Sequence, residues 1–114
     1  MLVGAAFVIA PGLAGRAWIG GEAARRPVKV LSRAFGVRDF VLGAGVATAL
    51  DRHAELRSWI QAAIVSDAVD TCASALAGSS IHPLVRWPCI ALGASSTALG
   101  ARLLGELDAS ARAP

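Results

Sequence analysis

Two carboxylates, Asp67 and Asp70, lie three residues apart inside Trp59–Gly78, WIQAAIVSDAVDTCASALAG. The rest of that stretch has the length and apolar content of a membrane-spanning helix. An acid in such a setting takes up a proton, meets a cation or faces water. On a helix, Ala63, Asp67, Asp70, Ser74 and Ala77 share one face. Two chemistries fit. The acids can relay protons or cations, since ionisable groups inside a span often mark a pathway. Alternatively they clamp an arginine and so set helix register, with Ser and Thr hydroxyls satisfying the remaining acid. No second motif accompanies the acids, which favours the clamp.

The cation for such a clamp is Arg38. An antiparallel hairpin of the second and third helices, closing near residue 54, puts Arg38 level with Asp70 and Val41 about level with Asp67. Asp39 adds a third carboxylate, and Arg38 is the only cation at that depth. At least one of the three acids is therefore expected to be protonated at neutral pH or to face water. A second fold-back, about residue 81, places Ser95 and Ser96 level with Asp67 and Cys89 level with Cys72. The expected polar cluster within the bilayer is Arg38, Asp39, Asp67, Asp70, Ser74 and Ser96. Glycines let helix backbones approach closely. The expected packing positions are Gly36, Gly43 and Gly45 on the second helix and Gly93 and Gly100 on the fourth.

The elements that must hold these residues follow from the apolar runs. Four spans are expected, at about 1–20, 27–50, 58–78 and 84–107, forming one integral membrane domain over 1–114. The first reaches about 30 Å as a helix, just adequate for a hydrocarbon core. Pro11-Gly12 would kink it, and a re-entrant or interfacial helix is the alternative. Gly20-Gly21 breaks it, Pro27 suits the first turn of the next helix, and Gly78-Ser79-Ser80 ends the third. Asp51–Arg57 reads as a polar connection, and Asp108–Pro114 as a polar tail.

Composition points to lipid as the outer solvent. Hydrophobic residues make up 55% of the 114 and charged residues 17%, against roughly 25% charged in an ordinary soluble domain. Trp18, Trp59 and Trp87 each fall at an end of an apolar segment, where such rings settle in a bilayer interface. The basic residues concentrate in the first connection, so residues 21–33 are expected in the cytoplasm and both termini outside. A soluble four-helix protein is the competing reading.

Other chemistries lack residues. The net charge of +3 forms no stripe with interleaved aromatics, so nucleic acid is not an expected partner. Cys72 and Cys89 show no C-x-x-C or Cys/His ligand spacing, and His53 and His82 form no E-x-x-H pair. No metal, cofactor or catalytic residue is expected. No G-x-S-x-G or Ser/His/Asp set occurs at a plausible spacing, so the chain reads as no enzyme.

The run Arg33-Ala34-Phe35-Gly36-Val37-Arg38-Asp39-Phe40-Val41-Leu42-Gly43 resembles a family of small multi-pass membrane proteins of actinobacteria with a domain of unknown function. Pro11-Gly12, Trp18-Ile19-Gly20 and the acid pair Asp67 and Asp70 extend the likeness. The resemblance implies four short spans and no assigned activity. Size and span count are also similar to small multidrug-resistance transporters, but their essential acid lies in a first span that here has none.

The fold expected from all this is all-α, a four-helix antiparallel transmembrane bundle in the bacterial plasma membrane. The expected partners are the lipid bilayer and further copies of the chain. The expected function is that of a structural or interaction protein, self-associating through its glycine and serine faces. The alternative is a proton-coupled small transporter or channel subunit using Asp67 and Asp70.

Overall fold

Pro11 decides the first element. Proline has no N–H and crowds the residue before it out of helical geometry. In the computed structural model Ala10 accordingly sits at φ −131° and ψ 61°, between two short helices, α1 (Leu2–Ile9) and α2 (Pro11–Ile19). The structure describes residues 1–81 and 83–112 and, of Trp18, the backbone. The expected roles of His82, the Trp18 ring and the last two residues of the tail lie outside the described residues.

Gly20 ends α2 at a φ of 59°, and a 3-10 turn, Gly20–Ala24, follows. α3 (Arg26–Thr48) carries Pro27 in its first turn, where a missing N–H costs nothing. α4 (His53–Leu76) starts earlier than its apolar run implies. Its first turn holds Glu55, a carboxylate favourable at a helix N-terminus, so most of the expected polar connection is helix. Gly78, at a φ of 54°, leads through the turn Gly78–Ser80 to α5 (Pro83–Ser110), which keeps Pro88 inside its early turns. The described residues contain no strand, and the chain is all-α.

The chain divides into two compact units, Met1–Ala44 and Gly45–Pro114. In the first, α1 lies antiparallel against α3 with almost no side chain between them. A Cβ built on Gly36 would stand 2.7 Å from the Gly4 carbonyl oxygen and 2.9 Å from the Val8 nitrogen. The Phe7 and Phe35 rings, 6.4 Å apart and tilted, close the same contact. In the second unit, α4 and α5 form an antiparallel hairpin. Gly93 faces Thr71 and the Asp67 carbonyl, Gly100 faces Ile64, and Arg57 meets Asp108 at the open end.

No described helix is long and apolar enough to cross a membrane. This overturns the transmembrane bundle, the integral, multi-pass placement in the plasma membrane and the cytoplasmic assignment of residues 21–33. The reasons differ by helix. α1 and α2 are only about 12 and 14 Å long, less than half of a hydrocarbon core of about 30 Å. α3 is long enough but carries Arg26, Lys29, Arg33, Arg38 and Asp39. α4 holds Glu55, Arg57, Asp67 and Asp70, and α5, with Arg86, Arg102, Glu106 and Asp108 toward its ends, has its middle diluted by Gly93, Ser95, Ser96, Thr97 and Gly100. The low overall charge is satisfied in another way. Apart from glycines, the described residues bury just Pro11, Ala23 and Ala49, while many Leu, Ile and Val side chains stay exposed.

Candidate functional site

The six residues of the expected cluster fall in both units. Arg38 and Asp39 belong to the N-terminal unit. Their side chains leave α3 at successive positions, and the Arg38 guanidinium donates to Asp39 Oδ1 from Nη2 at 3.0 Å. The same guanidinium lies 4.1 Å from the centre of the Phe35 ring, a cation–π contact made one turn back. Asp67, Asp70 and Ser74 stand half-buried on α4, and Ser96 is exposed on α5. None of the described helices that carry these residues is long and apolar enough to cross a membrane.

Of the glycines, Gly36 and Gly43 face α1, where Gly43 abuts Met1. Gly45 lies under the Trp59 ring, which is half-buried there. Gly93 and Gly100, two helical turns apart on α5, face Thr71 and Ile64 of α4 with no room for a Cβ. Ser96 stands off this face because it is displaced from the line that joins them. Thr97, four residues after Gly93 and three before Gly100, takes the place expected of it.

The seam between α4 and α5 is polar yet self-satisfied. Thr71 Oγ1 donates to the Asp67 carbonyl oxygen at 2.7 Å, and Thr97 Oγ1 to the Gly93 carbonyl oxygen at 2.8 Å. Each hydroxyl thus bonds one turn back within its own helix. The two threonines therefore need no partner on the opposite helix.

The seam closes with a pair that the sequence reading passed over. Arg57 Nε donates to Asp108 Oδ1 at 2.9 Å and Nη2 to Oδ2 at 3.4 Å, a two-pronged pairing. The hydrogen bond from Arg57 holds the Asp108 carboxyl below its ordinary pKa, and the same bond raises that of Arg57. Arg57 and Asp108 lie 24 and 27 residues from the expected fold-back at Ile81, so strict mirror symmetry would set Arg57 opposite Gly105, and the two fall in the expected connection and tail.

The described residues offer little to a catalyst. No group of three or more His, Cys, Asp or Glu side chains could hold a metal ion. Cys72 is exposed, and burial raises the pKa of the Cys89 thiol, which makes its thiolate scarcer.

What stands out is apolar surface. On α4, Ala62, Val65, Val69, Cys72 and Leu76 recur at three- and four-residue spacing and are all exposed. On α5, Leu84, Pro88, Leu92, Ser95, Leu99 and Leu103 form a second exposed line. Both lines turn away from the seam, since seam positions lie between them on each helix. Leu76 and Leu84 are 87% and 80% exposed. Compared with family models, with curated proteins and with solved structures, the chain matches none.

Proposed function

We propose that the protein is a self-associating helical interaction protein, with the α4–α5 hairpin as the element that assembles. One observation carries this. The described residues bury no large side chain, although 55% of the chain is hydrophobic. Ordering the backbone costs about 1–2 kcal/mol per residue. Burial of a Val or Leu side chain contributes about 1.5–3 kcal/mol. A hairpin whose leucines stay in water forgoes that contribution until another surface covers them.

A second copy suits the α4 line. Positions 62, 65, 69, 72 and 76 alternate steps of three and four, the spacing at which one helix meets another along a shared seam. A face of this kind is self-complementary under two-fold symmetry, so one patch serves both partners. The transporter alternative needs a path across a bilayer and is not carried forward.

The test is light scattering during gel filtration of the full chain, with thermal unfolding at several concentrations. A dimer or larger assembly whose unfolding midpoint rises with concentration is expected. Val65→Ser with Val69→Ser, or Leu92→Ser with Leu99→Ser, should shift the assembly toward monomer. A monomer with a concentration-independent midpoint would overturn the reading.

A further inference from the structure

The two units differ in charge, and that difference bears on a surface outside the hairpin. Residues 1–44 hold six Lys and Arg against two acids, whereas residues 45–114 hold five against six. The chain's entire positive excess therefore belongs to the N-terminal unit. Arg25 is neutralised by Glu22 at 2.8 Å and Arg38 by Asp39 at 3.0 Å. Arg16, Arg26, Lys29 and Arg33 have no carboxylate partner among the described residues.

These cations share their surface with apolar side chains. Arg26, Val30, Arg33, Val37 and Val41 follow one another at steps of four, three, four and four along α3, so they lie on one face. All five are exposed, Val30 by 65% and Val37 by 49%. This face is distinct from the one Gly36 turns toward α1. Lys29 lays the end of its side chain beside Gly12 of α2, in the same unit. The neighbouring short helices add exposed Leu2, Ile9 and Leu13.

We propose that this face of the N-terminal unit binds an anionic lipid surface from one side, with no segment crossing it. Cations at the headgroups and valines at the acyl boundary would each find their preferred medium. A nucleic acid suits the surface less well. It would match Arg26 and Arg33 but strand Val30, Val37 and Val41 against phosphate, and it stacks successive bases on several aromatic rings where this face exposes one, Phe40.

The experiment is flotation of the full chain with phosphatidylcholine vesicles, with and without about one-third phosphatidylserine. Binding is expected to the anionic vesicles alone, and to be released by high salt and by alkaline carbonate. Arg26→Gln with Arg33→Gln should weaken it about twenty-five-fold, roughly fivefold per cation. Arg26→Lys with Arg33→Lys should bind as the parent does. Val30→Ser with Val37→Ser should weaken binding roughly tenfold. Circular dichroism checks that each variant keeps its helix content. Absence of binding, equal binding to neutral vesicles, resistance to carbonate, or a Gln variant that binds like the parent would each overturn the proposal. So would tight binding of duplex DNA or RNA with no binding to vesicles. None of these results bears on self-association through α4 and α5.

Discussion

The two units use the same packing device and present different surfaces. In the N-terminal unit α1 and α3 meet through Gly4 and Gly36, backbone against backbone. In the C-terminal unit Gly93 and Gly100 admit the side chains of Thr71 and Ile64 instead. The first contact has nothing that can move aside, whereas the second has side chains with rotamers to spare. Outside these contacts the first unit is basic and the second slightly acidic, with apolar lines along both outer faces of its hairpin. Glycine spacing therefore sets how closely helices pack, and the remaining positions set what each unit meets.

Substitutions at the glycines measure this difference most directly. Gly36→Ala should have the largest effect. Its methyl would lie within 3 Å of two backbone atoms and of Phe7 Cβ, so the helices must separate. Overpacking typically costs about 1–3 kcal/mol and more where nothing yields, so a loss near or above 3 kcal/mol is expected. Hydrogen exchange would show it as faster exchange in α1. A variant as protected as the parent would contradict the backbone contact.

Gly100→Ala should cost less, about 1–2 kcal/mol by chemical denaturation, because the Ile64 side chain can rotate away. A cost equal to that of Gly36→Ala would erase the distinction between the two contacts. Gly105→Ala is the control. Nothing lies within 4 Å of its added methyl, so the better helix former should stabilise α5 by about 0.8–1 kcal/mol.

The smallest effect belongs to the ion pair at the open end of the hairpin. Arg57 lowers the pKa of Asp108, so the ionised carboxylate is favoured in the folded chain. Its contribution is complete above the ordinary carboxylate pKa of about 3.9 and fades as pH falls through the lowered value. Asp108→Asn should therefore lower the denaturation midpoint slightly at pH 7 and leave it unchanged in strong acid. A difference that persisted in acid would mean the side chain acts by packing and not by charge.

Much of the local architecture is legible in the residues themselves. Gly20 and Gly78 end helices because they reach positive φ without a Cβ, and Pro27 starts one because its N–H is not needed there. The hairpin register is also legible. Gly93 opposite Thr71 and Gly100 opposite Ile64 centre the fold-back one residue beyond the expected Ile81. Other features were misread for a common reason. The break at Ala10 was expected as a kink in one span. Ser96 was expected on the seam that Thr97 occupies. Trp59, expected in a lipid interface, covers Gly45 instead. Each depends on which neighbour fills the adjacent space, a property that no single segment carries.

The sequence by itself determined that the chain is all-α, where most helices end, and several of the glycines at which helices touch, though not Gly4. These are short-range consequences of backbone freedom and of i, i+3 and i+4 geometry, so they need no partner to be decided. Tertiary structure alone decided that the first apolar run is two short helices, that Arg57 and Asp108 close the hairpin, and that the leucines and valines of α4 and α5 face outward. Whether an apolar side chain is buried depends on the space left once helices have packed. In a chain with glycines and alanines at its contacts, the large side chains are those left over.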